Sequence, residues 1–289
     1  MTLEEMHHAR EQAFCKRFNI PFPYVAPEPM FHPDPDPRKI VSASDPHAPY
    51  EAEYVFDDIM ACHHNAAMLV IPGDVGDYYS KSRFKKSHPG NFPNEVLSVF
   101  KRLEWASQRF RTVKVMLGNH DNRPEKKIQT LLEVDPELAI LTEQNLLLHL
   151  ACYFPNVEVV GHQIKGEGIL LTHLWQFGDM MFLHAEISRT QSSATMEWLS
   201  AWLHKWQHVL KLDPYRVIFQ GHNHQSMKKD VDGETWIQLP TASDPYSLGM
   251  EYVFRKMYKD PPVVGYTVIH HDEGICSPNE TYNVVLRSR

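Results

Sequence analysis

From residue 38 onward, short apolar runs rich in β-branched residues alternate with longer stretches of helical period. "KIVSAS" at 39–44, "AMLVIP" at 67–72 and "TVKVML" at 112–117 read as strands. Residues 51–64 and 94–110 read as helices, the second with Val96, Phe100, Leu103 and Phe110 on one side. A βαβαβ order of this kind joins parallel strands through crossover helices, and ligands are expected beyond the carboxyl ends of those strands.

The second half changes character. Strands are expected at 157–160, 168–173, 180–183, 215–220 and 234–239, with one long helix at 192–211. The Asp-Gly pair within "DVDGETW" predicts a tight hairpin. Antiparallel pairing is therefore richer here, and the expected fold class is α/β: two packed mixed β-sheets flanked by helices, an αββα sandwich. Trp198, Trp202 and Trp206 recur at four-residue spacing with Leu199, Leu203 and Leu210. A stripe of that kind is a core face rather than a platform for bases.

Residues 2–18 fit one amphipathic helix, and the proline-rich "PFPYVAPEPMFHPDPDP" that follows reads as an extended arm. The expected organisation is a helix and arm over 1–37, a main α/β domain over 38–272 and a C-terminal extension over 273–289. The arm would either clasp a second copy, giving a homo-oligomer, or cover its own domain.

A chain of 289 residues with 43% hydrophobic content buries a substantial core. It has no apolar run of the roughly 18 residues that a membrane span needs, and its start lacks the regions of a signal peptide. A soluble, cytoplasmic protein is expected. Cys15, Cys62, Cys152 and Cys276 are too scattered for a zinc knuckle or a disulfide framework. The net charge of −7 excludes a global attraction for nucleic acid, so an anionic substrate would need local positive charge.

Four strand candidates end in polar signatures: "VSASDPH" at 41–47, "VIPGDVGD" at 70–77, "VMLGNHD" at 115–121 and "IFQGHNH" at 218–224. A fifth, "MMFLHAE" at 180–186, ends in His184. Carboxylate oxygen with imidazole nitrogen suits divalent manganese, iron, zinc or nickel. Two such ions about 3.5–4 Å apart need a bridging carboxylate. Asp74 is the natural bridge, because the glycine before it lets the chain turn sharply.

The ordered set Asp45-x-His47, Gly73-Asp74-x-x-Asp77, Gly118-Asn119-His120-Asp121, His184 and Gly221-His222-x-His224 resembles the calcineurin-like metallophosphoesterase superfamily. Each motif alone is weak, and all five in order are specific. The resemblance implies one metal held by Asp45, His47, Asp74 and His224, and a second held by Asp74, Asn119, His184 and His222. It implies that His120 stands beside the metals near the leaving oxygen and that Asp77 partners it. The implied activity is phosphate-ester hydrolysis by attack of a metal-bridging hydroxide, with two divalent ions, manganese first, as cofactors. His173 in "ILLTHLW" rivals His184 as a ligand, and His184 is preferred because "GDMMFLHAE" reads as a turn followed by a buried strand. Asp121, as the neighbour of His120, is read as a cap on the following helix.

Two basic loops follow the motifs. One carries Lys81, Arg83, Lys85, Lys86 and His88, the other Arg123, Lys126 and Lys127. Either they are solvated charge runs or they draw a polyanion to the site, with Arg83, Lys85 and Arg123 as the substrate-binding candidates. Tyr78, Tyr79 and Phe84 among these charges would then stack on bases. A phosphodiesterase or nuclease acting on nucleic acid or nucleotides is the leading expectation, and a phosphomonoesterase is the alternative. The protein phosphatases of this superfamily usually carry arginine where this chain has Tyr78, which argues against that type. A scaffold with the fold but no catalysis ranks last, because every motif position is filled.

Overall fold

The computed structural model describes residues 3–82, 89–126, 145–166, 169–185, 192–247, 250 and 261–286. Four parallel strands form the centre of the first sheet: β1 (Asp36–Ser42), β2 (Ala66–Pro72), β3 (Thr112–Met116) and β4 (Val157–Val160). Helix α2 (Glu53–His63) connects β1 to β2, and α3 (Phe92–Arg109) precedes β3. Helix α3 starts where the sequence signals a start, with the Asn91 side chain accepting from the Asn94 backbone N–H at 3.3 Å and Pro93 in the first turn. A short helix α4 (Leu146–Ala151) leads into β4.

The second sheet holds β5 (His162–Gly166), β6 (Ile169–Phe177), β7 (Met180–Ala185), β8 (Val217–Gln220), β9 (Met227–Val231) and β10 (Glu234–Gln238), in the order β5-β6-β7-β8-β10-β9. Helix α5 (Ser192–Leu210) crosses between the parallel neighbours β7 and β8. Asp232 and Gly233 both take positive φ between β9 and β10, as a two-residue hairpin turn requires. The first sheet is completed by β11 (Gly265–Asp272), antiparallel to β1, with β12 (Ile275–Cys276) and β13 (Tyr282–Val285) paired to its other edge.

Strand alternation divides the interior into three layers. Val41, Leu69, Ile71, Val113 and Val115 face the helices α1 to α4. Ile40, Val70 and Met116 point the other way and meet Met180, Phe182, Phe219 and Ile237 of the second sheet. Met181, Leu183, Ile218 and Trp236 face α5, against Leu199, Trp202 and Leu203. Each fully buried aliphatic contributes about 1.5–3 kcal/mol, so the αββα sandwich is held by all three layers together. The tryptophan stripe is core, as its spacing predicts.

Helix α1 (Leu3–Phe18) and the arm lie on the helical side of the first sheet. Cys15, Phe18 and Ile20 are buried there. The Tyr24 hydroxyl donates to Glu104 of α3 at 2.7 Å, and its ring meets Phe100 edge-on at 5.0 Å.

Candidate metal centre

The strands that carry the motifs deliver them to one end of the sandwich. Just beyond those strands the backbone enters the left-handed region: Asp45 (φ 52°), His47 (53°), Asp74 (48°), His222 (78°) and His224 (54°). Each such residue costs of order 1–3 kcal/mol and persists only where its surroundings fix it. Close approach fixes two glycines as well. A Cβ on Gly73 would lie 2.3 Å from His184 Nδ1, and one on Gly118 would lie 2.0 Å from Asp74 Oδ1.

The side chains then converge. Asp45, His47, Asp74, Asp77, Asp121, His184 and His224 are all buried. Asp74 Oδ1 accepts the His120 backbone N–H at 2.8 Å. Asp74 Oδ2 has no hydrogen-bond partner and lies 3.3 Å from His184 Nε2, 3.8 Å from His47 Nε2 and 4.0 Å from His120 Nε2. His47 Nε2 and His224 Nε2 face each other at 3.3 Å, and His224 Nε2 is 3.6 Å from Asp45 Oδ1. Asn119 Oδ1 is 3.2 Å from His184 Nε2, whose other nitrogen, Nδ1, donates to the Pro72 carbonyl at 2.9 Å.

Three triads of donor atoms lie within 4.8 Å of one another: Asp45, His47 and His224; Asp74, His184 and His222; and His47, Asp77 and His120. The first two present imidazole nitrogens toward carboxylate oxygens across open separations. The third is different. Asp77 Oδ2 accepts from His47 Nδ1 at 3.1 Å and from His120 Nδ1 at 3.0 Å, so that group is already closed by hydrogen bonds.

The charges favour cations. Burial opposes ionisation of Asp45, yet His184 and His224 outweigh it and hold the carboxyl well below the usual carboxylate range. Burial likewise opposes Asp74, and His120, His184 and His47 hold it low. Burial would lower His184, but Asp74 and Asp45 push it up to about 10. A proton on that ring and a metal ion therefore compete for the same place. Unpartnered Asp74 Oδ2, imidazole nitrogens facing each other and mixed oxygen and nitrogen donors fit divalent ions of the first transition row.

A family model described as calcineurin-like phosphoesterase matches residues 38–255. The chain belongs to the calcineurin-like phosphoesterase family. As a member it is a metal-dependent phosphoric ester hydrolase. No curated protein matches the chain. Among solved structures it is similar to an archaeal phosphodiesterase, at 13% identity and TM-score 0.39 over 86% of this chain and 99% of the other. Vacuolar Protein Sorting 29 from Cryptosporidium parvum gives 12% and 0.39 over 86% and 98%. A phosphoesterase from E. coli gives 14% and 0.37 over 81% and 89%. Among the described residues, no helix of this phosphoesterase is long and apolar enough to cross a membrane.

The structure brings Asp45, His47, Asp74, Asp77, Asn119, His120, His184, His222 and His224 together. His173 lies directly opposite His184 on the neighbouring strand, but its Nε2 meets the Asn122 amide at 3.2 Å and it joins none of the triads. Arg83, Lys85, Lys86, His88, Phe84 and Lys127 fall outside the described residues. Tyr78 corrects the stacking expectation: it is fully buried among Val96, Val99 and Phe100 in the helical layer, where no base can reach it. Asp121 serves backbone rather than a helix end. Its carboxylate accepts from Gly118 N at 2.9 Å, Gly76 N at 3.0 Å and Val75 N at 3.2 Å, tying the second motif to the third. Sequence reasoning also misses Thr241, whose hydroxyl donates to the Asp45 carbonyl at 2.9 Å. Nothing in "LPTASDP" marks it, because its partner lies 196 positions away.

Proposed function

We propose that this phosphoesterase is a dinuclear enzyme that cleaves phosphodiesters in nucleotides or nucleic acid. The observation that carries the reading is the unpartnered Asp74 Oδ2, faced by imidazole nitrogens from three separate segments. In this reading Asp45, His47, Asp74 and His224 hold one ion, while Asp74, Asn119, His184 and His222 hold the other. Manganese is the proposed ion, and iron, zinc and nickel suit the same donors. When bound, such ions polarise phosphoryl oxygens and lower the pKa of water toward neutrality.

The chain's own residues orient the rest. The Pro72 carbonyl fixes His184 with Nε2 turned inward, and Asp77 does the same for His47. Asp77 also holds His120 at Nδ1, so that Nε2 is the atom offered to the departing oxygen. Burial of Tyr78 supports the diester over the monoester, because no guanidinium enters the site from the position where the protein phosphatases carry one. A diester, with one negative charge, asks less of the protein than a monoester dianion. The basic residues Arg83, Lys85 and Lys86 of one loop and Lys126 and Lys127 of the other would supply the local attraction that a polyanion needs in an acidic chain. The proposed compartment is the cytoplasm, in keeping with four free cysteines.

The deciding experiment is a substrate panel with added manganese: bis-p-nitrophenyl phosphate, p-nitrophenyl phosphate, single- and double-stranded DNA, RNA and cyclic nucleotides. Cleavage of the diester and at least one nucleic acid or nucleotide is expected. Exclusive cleavage of the monoester would establish the phosphomonoesterase instead, and no bound metal with no turnover would establish a scaffold. His120→Asn should lower turnover by roughly 10²–10⁴-fold with metal content intact.

A further inference from the structure

Arg123 was expected to reach toward substrate from a basic loop, and the structure folds it back. Its Nη1 donates to the Asp77 carbonyl at 2.6 Å and to Asp77 Oδ1 at 3.0 Å. Its Nη2 stands 2.8 Å from His120 Nε2. The Arg123 backbone N–H donates to the His120 carbonyl at 2.9 Å, so both side chains spring from one turn. Only 13% of the Arg123 side chain is exposed.

The direction of each bond follows from the atoms. Asp77 carries a carboxylate, which only accepts, so the His120 Nδ1 at 3.0 Å from Oδ2 carries the hydrogen. In a neutral ring Nε2 is then an acceptor, and a guanidinium, which only donates, is a suitable partner for it. Arg123 thus closes a ring of bonds through Asp77 and His120. In this resting state the imidazole is gripped at both nitrogens and Nε2 carries no proton; to protonate a departing oxygen the ring must first take up a proton at Nε2 from solvent, which releases that bond while Arg123 keeps its two bonds to Asp77.

We propose that Arg123 is a positioning residue that holds the plane of His120, in the tautomer that the Asp77 carboxylate fixes, and that it acts on the reaction through that ring. The proposal rests on the phosphodiesterase reading for its kinetic consequence. Its spectroscopic consequence stands apart from that reading.

Two measurements on the full chain test it, with Arg123→Lys and Arg123→Ala. The first is the imidazole 15N spectrum of metal-free protein. Wild type should show His120 with the hydrogen on Nδ1, and Arg123→Ala should alter the His120 signals while those of His204, which meets Glu234 at 2.6 Å beside α5, stay in place. A wild-type His120 protonated on Nε2 alone, or a spectrum unmoved by both variants, overturns the proposal. The second is turnover with manganese on diesters of good and poor leaving groups, after wild-type activity on bis-p-nitrophenyl phosphate has been established. Inactive wild type defeats the phosphodiesterase reading and leaves the spectroscopic test standing.

With active wild type, Arg123→Ala should lower kcat by roughly 10–100-fold for the poor leaving group and less for the good one, with KM within about twofold; the range is set below the full contribution of an acid group. Lysine, which lacks the planar fork, should recover little, whereas free guanidinium should restore part of the alanine variant's rate. In a His120→Asn background, Arg123→Ala should cost nothing further, because residues acting through one group are not additive. Additive losses, equal losses for both leaving groups, or a raised KM with unchanged kcat would each make Arg123 a structural or simple binding group and sink the idea.

Discussion

Arg102 and Glu51 bury charge on the helical side of the first sheet, with Glu53 exposed beside them, and Asp45, Asp74, Asp77 and Asp121 bury it at the strand ends. The first group contains its own cation. Arg102 Nη2 donates to Glu53 at 2.9 Å and to Glu51 at 3.2 Å, and its guanidinium carbon lies 3.7 Å above the Phe56 ring. At the strand ends the guanidinium of Arg123 pairs with Asp77, Asp121 accepts three backbone N–H groups, and Asp45 and Asp74 face imidazoles. A buried carboxylate without compensation costs several kcal/mol. One group carries its cation in the sequence, whereas the other is built to take cations from outside.

The sharpest way to break this contrast is Asp74→Asn, which removes the charge shared by both proposed ion sites. It should weaken metal binding by more than the roughly 10–100-fold that loss of an outer partner costs. Elemental analysis would check it, alongside calorimetry with and without manganese. Ion at about 100 times its Kd stabilises the wild type by about 2.7 kcal/mol, and this gain should vanish in the variant. Two tightly held ions in Asp74→Asn would end the contrast.

Arg102→Ala is the counterpart. Breaking the closed pair should destabilise by about 3–5 kcal/mol in urea unfolding, with the metal content of the folded fraction unchanged. Gly118→Ala probes geometry rather than charge, since its new Cβ would press on Asp74 Oδ1. A fall of about 1–3 kcal/mol in stability is expected from overpacking, accompanied by weaker metal binding in titration calorimetry. The smallest effect belongs to Tyr78→Phe. The Tyr78 hydroxyl is buried without a partner, so deleting it should leave activity alone and leave stability equal or up to about 1 kcal/mol higher.

The strand ends were the most legible part of the sequence. An apolar run followed by glycine and then a polar ligand type states both where the strand stops and what it presents, and β2, β3 and β8 follow that grammar, while β1 leads into Asp45-Pro46-His47 and β7 carries His184 within the strand. Strand β11 does not. In "GYTVIHHD" its inward and outward faces alternate Thr267, Ile269 and His271 with Tyr266, Val268 and His270, and the polar members blur a period of two. The interaction of Asp77 with His47 as well as His120 was out of reach too, because its spacing along the chain carries no sign of which rings share one oxygen. Tyr78 misled for a related reason. Its neighbours in sequence are polar, yet a left-handed residue at φ 50° turns its ring back into the core.

His47 and His224 stand 3.3 Å apart in space and 177 positions apart along the chain. During synthesis, the motifs around Asp45, Asp74 and His120 emerge well before β8 is made. A nascent chain at that stage displays carboxylates and imidazoles with His224 missing from one proposed ligand set and His184 and His222 missing from the other, and so should grip cations loosely. Loading with metal is thereby deferred until both sheets have been translated and packed, which makes the occupied centre a readout of completed folding.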